Sequence, residues 1–365
     1  MRLHLRLIPA VLAWMLIPLT GYAQLTPEPA SRAYFGVNRP MPMKVQVPEG
    51  SGGEVRIDLY DPAREGEATE MEATAPALAG VVDLSTLFPV LWKGPTPRLR
   101  YAQLVVGGAQ IGPPVVLQPM VTPAQGELLR TTTRDTGILN APNLVTLRER
   151  WFKDPDTNAD SFNPSDGKIE WVKDVPAYSG IRAYIDQHVV WDTTVGEIEF
   201  RLRPDVAPNT AWNFRDLTQR GFYQDIIFHR VVGATKAGFP FVVQVGDPTG
   251  TGDGGPGYNL DLENSNLPHD FGVLGMARGT DPDTNGAQVY IALSREATAR
   301  LDGRYTTFAQ AVRGEDVIVA LSKVKTTDDR PNDPPVLRSA KLVDAPPYSK
   351  RPRPVVRPTE GPKGR

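Results

Sequence analysis

The sequence predicts a mainly β protein, with a small sandwich-like β domain ahead of a second, larger β-rich domain. Three observations predict it. Proline (36) and glycine (33) are both abundant, which suits sheets joined by many turns better than helix bundles. Short runs alternate apolar and polar residues, as in Val55, Ile57 and Leu59 against Arg56 and Asp58, and period-two alternation marks a half-buried strand. The chain has 365 residues, long for one domain, so two are expected.

The N-terminus reads as an export signal. Arg2 and Arg6 precede an apolar run from Leu7 to Leu19, which ends at Gly21-Tyr22-Ala23. A basic start, a short apolar stretch and a small-x-small site form a secretory signal over residues 1–23. Pro9 and Pro18 interrupt the run, and a membrane span needs about 20 apolar residues. The mature protein is expected in the periplasm or outside the cell, not integral to a membrane. The chain has no Cys, so it carries no lipid-attachment Cys, disulfide, thiolate metal site or Cys nucleophile.

Residues 24–122 are expected to form the sandwich-like domain, with residues 24–33 as an unstructured lead. Val45 and Val47 alternate with Lys44 and Gln46, and Tyr101–Val106 and Val115–Leu117 are further β-like runs. Two such sheets bury their apolar faces by packing on each other. No chemical constellation stands out there. Residues 123–180 read as a linker, with a short helix over Leu144–Trp151 and an acidic turn over Asp154–Asp160. The last segment, 346–365, is basic and Pro-rich with little apolar content, and disorder is expected.

The second domain, 181–345, carries the chemistry. Ile198, Phe200 and Leu202 alternate with Glu197, Glu199 and Arg201 as a strand. A helix then starts near Pro208, whose missing N–H is tolerated at a first turn. Asn209 or Thr210 is the expected cap, Ala211, Phe214 and Leu217 share one face, and Gly221 ends the helix. A β-like run, Ile226–Val232, follows.

Five blocks then occur in order. They are Ala207-Pro208-Asn209-Thr210-Ala211-Trp212-Asn213-Phe214; Phe228-His229-Arg230-Val231-Val232; Phe241-Val242-Val243-Gln244-Val245-Gly246-Asp247 with Thr249-Gly250-Thr251-Gly252; Gly272-Val273-Leu274-Gly275-Met276-Ala277 with Asn285-Gly286-Ala287-Gln288-Val289-Tyr290-Ile291; and Leu301-Asp302-Gly303 with Phe308. In this order, over some 160 residues, they resemble the cyclophilin-type peptidyl-prolyl isomerases. The resemblance implies a closed eight-stranded antiparallel barrel capped by two helices. It also implies catalysis of X–Pro isomerisation in polypeptide clients, with no cofactor and no metal.

An X–Pro bond interconverts slowly because its amide has double-bond character. A catalyst must stabilise a twisted amide, whose nitrogen has become basic, and a guanidinium can donate to that nitrogen. The resemblance puts Arg230 in this role, with Gln244 and Phe241 beside it as catalytic residues. It places the substrate against Ala277, Arg278, Gln288, Tyr290, Leu301 and Tyr305. His229 is read as a structural partner of the barrel.

Departures from the family pattern are local. Gly233–Pro240 is inserted before Phe241, so Phe239 and Phe241 compete for the pocket floor; spacing back from Gln244 favours Phe241. Val242 replaces a Met, and Val289-Tyr290 replaces a Phe pair. Arg300 stands where many eukaryotic members have a Trp that helps bind cyclosporin, so weak cyclosporin sensitivity is expected. Tyr305 replaces the eukaryotic His, as in many bacterial members. The alternative function is a catalytically weak module that binds proline-containing peptides or assembles a surface complex.

Other signals are set aside. A net charge of −2 and a pI of about 6.2 argue against a nucleic-acid binder. Gly250–Gly255 fits a dinucleotide-binding pattern, but Pro256-Gly257 follows where a helix is required. Asp281–Gly286 begins like a calcium loop and has Ala292 where a bidentate Glu is needed.

Overall fold

A computed structural model describes residues 23–358, apart from 49, 51, 65–69, 94–96, 123–124, 135–142, 153–167 and 174–176. The expected signal, up to Tyr22, the acidic turn Asp154–Asp160 and the last seven residues lie outside the described residues. Among the described residues no helix is long and apolar enough to cross a membrane.

The N-terminal domain is a pair of facing antiparallel sheets. The smaller runs Gln24–Pro27, Pro42–Gln46, Gly80–Asp83. The larger has the order Tyr34–Gly36, Ala177–Ile185, Val115–Thr122, Arg100–Val106, Val55–Tyr60, Met71–Pro76. Alternation decides which side chains meet: Leu25, Met43 and Val45 from one sheet bury against Ile57, Leu59, Leu104 and Leu117 from the other. The lead expected to be unstructured is therefore partly a strand, because Leu25 is a core residue.

The expected linker is also structured. Gln125–Arg134 pairs with Asn143–Phe152 on one side and with Lys168–Lys173 on the other. The segment leaves the large sheet after Thr122 and returns at Ala177, which is the register partner of Thr122. Leu144–Trp151, read as a helix, is strand. Val145, Thr146 and Trp151 favour extended backbone, and pairing along the full length of a threonine-rich partner overrides a marginal helical pattern.

The expected start of the second domain at residue 181 falls inside a strand of the first. Ile181 and Ala183 point into the N-terminal core. The chain changes sheets at Asp186, and Gln187–Thr193 is the first strand of the second domain. Alternation alone does not say which sheet a strand joins.

That second domain is one curled antiparallel sheet. Its order is Gln224–Ile227, Val336–Asp344, Gln187–Thr193, Glu197–Leu202, Thr307–Arg313, Val273–Met276, Val289–Ala292, Val242–Val245, Arg230–Val232. The two end strands are separated in the chain only by Phe228 and His229. Taken as one interrupted strand, they close an eight-stranded barrel. Trp191, Phe200, Phe214, Phe228 and Phe308 fill its interior, with Trp191 edge-on to Phe200 at 4.7 Å.

Two helices cover the barrel. Pro208–Gln219 buries Ala211, Phe214 and Leu217 and ends where Gly221 takes a φ of 74°. There the Phe222 N–H donates to the Leu217 carbonyl and the Gly221 N–H to that of Thr218, the paired closure that a left-handed residue permits. The expected cap is wrong. Ala207 is the N-cap, and its methyl group cannot accept a hydrogen bond. Glu263, from a distant loop, accepts from the Asn209 N–H at 3.0 Å and the Thr210 N–H at 2.7 Å, favourable for an anion at a helix start. The second helix, Glu315–Ser322, begins with Glu315 and Asp316 and buries Val317, Ile318 and Leu321.

The tail through residue 358 is not disordered. Tyr348 is 3% exposed. It stacks on Tyr60 at 4.2 Å, with the Arg351 guanidinium 3.5 Å from its ring centre. Farther on, the Val355 N–H donates to the Ala311 carbonyl of the barrel. One aromatic with several partners outweighs the polar average of the segment, and prolines reduce the entropy lost on ordering. The tail thus ties the two domains together.

The junction also sets a pH dependence. Burial pushes the Asp186 carboxyl up to about 7, against the opposing charges of Arg201 and Arg351. Between about pH 4, where an unfolded Asp ionises, and pH 7, the folded state holds a proton that the unfolded state releases. Stability from this group therefore falls as pH rises through that window. Asp186→Asn is expected to melt higher than wild type at pH 8 and close to it at pH 4, read by thermal denaturation at both values.

Candidate active site

The barrel strands carry core residues on one face and a second set of side chains on the other. Val231, Val243, Val245 and Ile291 point into the core. Arg230, Gln244 and Tyr290 occupy the opposite face at neighbouring positions: Arg230 is the register partner of Gln244, and Gln244 of Tyr290. Cross-strand partners project side by side, so three adjacent strands present a row of guanidinium, amide and phenol.

A cleft of 120 Å³ opens over this row. Its walls are Arg230, Phe241, Val242, Gln244, Ala277, Arg278, Tyr290, Leu301 and Tyr305. Eight of the nine expected site residues are thus brought together, and Gln288 is not among them. It lines an adjoining cavity of 540 Å³, which shares Gln244, Ala277 and Arg278 with the cleft. The Gln288 amide donates to the Gly252 carbonyl at 2.7 Å and the Gly254 carbonyl at 2.8 Å, and its oxygen accepts from Gln244 at 2.9 Å. Gln288 holds the glycine loop and orients Gln244.

The two phenylalanines separate clearly. Gly233–Pro240 closes on itself, with the Thr235 N–H donating to the Phe239 carbonyl and Gly238 turning at a φ of 84°. Phe239 is 44% exposed and outside the cleft. Phe241 is drawn back into the sheet, where its N–H donates to Val232 and its carbonyl accepts from Leu293. The insertion leaves the cleft open.

Aromatic rings give the slot its shape. Tyr305 meets Tyr290 edge-on at 6.1 Å, and the Arg278 guanidinium covers Tyr305 at 4.4 Å. Arg300 lies over Phe241 at 4.7 Å. The Tyr290 hydroxyl bonds to His269 Nε2 at 2.8 Å, while His269 Nδ1 and its backbone N–H both meet Asp302 Oδ1, at 2.8 and 2.9 Å. A carboxylate oxygen only accepts, so Nδ1–H is the donor, which leaves Nε2 to accept from Tyr290. Burial lowers the His269 pKa, against the raising effect of Asp302, so the ring is neutral near pH 7. His269 is a second support that the block pattern did not single out; a lone His in a loop gives no sequence signal.

Gly275 pairs with Tyr290 from the next strand. A Cβ there would lie within 2.7 Å of two ring carbons of Tyr290 and of its hydroxyl oxygen. Only glycine lets the ring lie across this strand. Gly275→Ala is expected to push Tyr290 out of the slot and raise KM for an X–Pro peptide about tenfold, the effect of about 1.4 kcal/mol; steady-state kinetics check it.

Arg230 projects from the row with its side chain 42% exposed, and its Nη2 lies 3.4 Å from Asp329 Oδ2. Asp329 is a contact that sequence reasoning missed. An ion pair this exposed contributes only about 0–1 kcal/mol, so it steadies the guanidinium without sequestering it. His229 is buried beside it, and burial lowers its pKa. A fixed guanidinium at the rim of an apolar slot can donate to an amide nitrogen that has lost its conjugation. No nucleophile is needed for that chemistry.

The barrel segment of the chain is similar to known proteins. The family model described as cyclophilin type peptidyl-prolyl cis-trans isomerase/CLD matches residues 188–342. Peptidyl-prolyl cis-trans isomerase-like 1 of Emericella nidulans is 40% identical over 163 residues, which are 43% of this chain and 95% of that protein. Peptidyl-prolyl cis-trans isomerase ppi1 of Schizosaccharomyces pombe is 39% identical over 153 residues, 40% of this chain and 93% of that one. The crystal structure of a Cryptosporidium parvum cyclophilin type peptidyl-prolyl cis-trans isomerase, in the presence of dipeptide ala-pro, matches at 30% identity and a TM-score of 0.40, covering 43% of this chain and 99% of that one. Five sequence blocks, a closed barrel and relatives covered almost end to end lead to one assignment: the chain belongs to the cyclophilin-type peptidyl-prolyl cis-trans isomerases.

Proposed function

We propose that this isomerase accelerates X–Pro isomerisation in polypeptides exported from the cell, using Arg230 as its catalytic residue. The observation that carries the reading is the register row of Arg230, Gln244 and Tyr290 beside the apolar wall of Phe241 and Leu301. The proline ring enters the slot between Phe241, Tyr290 and Leu301. As the amide twists, its nitrogen turns pyramidal and accepts from the Arg230 guanidinium. That donor is in place before the bond rotates, so no reorganisation is required at the transition state. Gln244, held by Gln288, takes a main-chain group of the client.

Export rests on the basic and apolar pattern of residues 1–23. The described fold starts with the strand Gln24–Pro27, so cleavage after Ala23 leaves every described strand intact. The test is fractionation with N-terminal sequencing, together with a proline-limited refolding assay. A chain that begins at Gln24 outside the cytoplasm and speeds refolding supports the reading. An uncleaved chain in the cytoplasm, or refolding at the spontaneous rate, contradicts it.

A further inference from the structure

A second cavity, of 430 Å³, lies where the N-terminal domain meets the barrel. Arg182 enters it from the strand Ala177–Ile185, Trp212 and Asp216 from the helix Pro208–Gln219, and Tyr258, Asp261 and Glu263 from the loop beyond the glycines. Arg182 is only 8% exposed, and its Nε and Nη1 are buried without a hydrogen-bond partner among the described residues. Its guanidinium is held between two rings, 4.5 Å from the centre of Trp212 and 5.4 Å from that of Tyr34. Stacking fixes its plane and leaves its N–H edge, which rings do not satisfy. Buried donors left unmade are costly, so this edge calls for an acceptor.

The other charged groups in the cavity are engaged. Glu263 gives both oxygens to the helix start. Asp216 pairs with Arg220 at 2.7 Å. Asp261 has a partner as well. Three carboxylates around one guanidinium disfavour an anionic ligand, so the acceptor that fits is neutral, and a peptide carbonyl is the common one. Tyr258, an exposed ring in the cavity wall, offers a face for the adjoining side chain.

The cavity also adjoins the active site through shared walls. Tyr258 and Asn259 line both it and the 540 Å³ cavity, which in turn shares Gln244, Ala277 and Arg278 with the cleft. We infer that the interdomain cavity is a distal subsite for the polypeptide client, in which Arg182 receives a main-chain carbonyl remote from the proline. The inference rests on the isomerase reading above. It gives the N-terminal domain a share in client binding, since Arg182 belongs to its sheet.

The test uses the full chain and peptides with one Ala-Pro bond, in which a benzophenone side chain is placed stepwise farther from the proline. Near positions are expected to cross-link around Arg278 and distant ones on Trp212 or Leu260. In Arg182→Met the distant cross-links are expected to drop about tenfold against the near ones in the same sample, the loss of one charged hydrogen bond. Absence of cross-links on Trp212 and Leu260 at every spacing overturns the subsite, as does a parallel loss of near and distant products. Turnover of a short peptide by the wild type is measured separately. Its failure would refute the isomerase reading, whereas the cross-link map judges the cavity.

Discussion

Replacing Arg230 with alanine lowers kcat/KM on a short X–Pro peptide by about 10²–10³-fold, the range found when one preorganised donor to a transition state is removed. The fall is expected in kcat, because the amide nitrogen becomes a good acceptor only when twisted; an interaction made only at that stage leaves KM nearly unchanged. Arg230→Lys is expected to recover little, since an ammonium is a point charge without the planar donor edge. The side chain is 42% exposed and its ion pair with Asp329 is open to solvent, so the fold survives either change. Steady-state kinetics with a circular-dichroism melt separate lost chemistry from lost structure. Unchanged kcat in a folded Arg230→Ala would remove Arg230 from the reaction.

Trp191→Ala has the largest expected effect on stability. The ring is fully buried and meets Phe200, Phe214 and Phe228 at 4.7, 6.3 and 6.2 Å. Truncating a buried aromatic costs about 3–5 kcal/mol, through lost burial and the cavity left behind. Domains as a rule have only about 5–15 kcal/mol in total. For a domain of this size a melting temperature lower by on the order of 10 °C follows. Thermal denaturation checks it, and a shift below about 2 °C would mean that the barrel core does not depend on this residue. Because Phe228 sits one position before His229 and two before Arg230, the same variant should also blunt turnover at temperatures where it is still folded.

The second domain is legible in the sequence where local pattern and contact coincide. Arg230, Gln244 and Tyr290 stand within three of the blocks, and a strand's period of two sends all three to one face. Phe241 was separable from Phe239 by its spacing from Gln244, and the self-closed turn of Gly233–Pro240 shows why: the extra residues never join the sheet. Contacts between distant segments were not legible. Glu263 serves as the cap of a helix that begins more than fifty residues earlier, and no local signal links the two. Arg182 reads as an ordinary strand Arg until Trp212 is packed against it. Tyr348 lies in a segment whose average polarity predicts disorder, yet a single buried ring sets its place. The strand Asn143–Phe152 shows the opposite failure, since its helical pattern is local and its pairing is not.

Gln288 marks a subtler limit. Its position in a block implied a contact with substrate, but its amide N–H groups are already given to Gly252 and Gly254. Sequence order places a residue near a site; only the hydrogen-bond partners show what it has left to offer.

The most direct test of the account is the cis-to-trans relaxation of a short Ala-Pro peptide, followed in a protease-coupled assay with the full chain. The account predicts a rate that rises in proportion to protein concentration above the spontaneous relaxation of tens to hundreds of seconds. A rate equal to the spontaneous one at every concentration would contradict it.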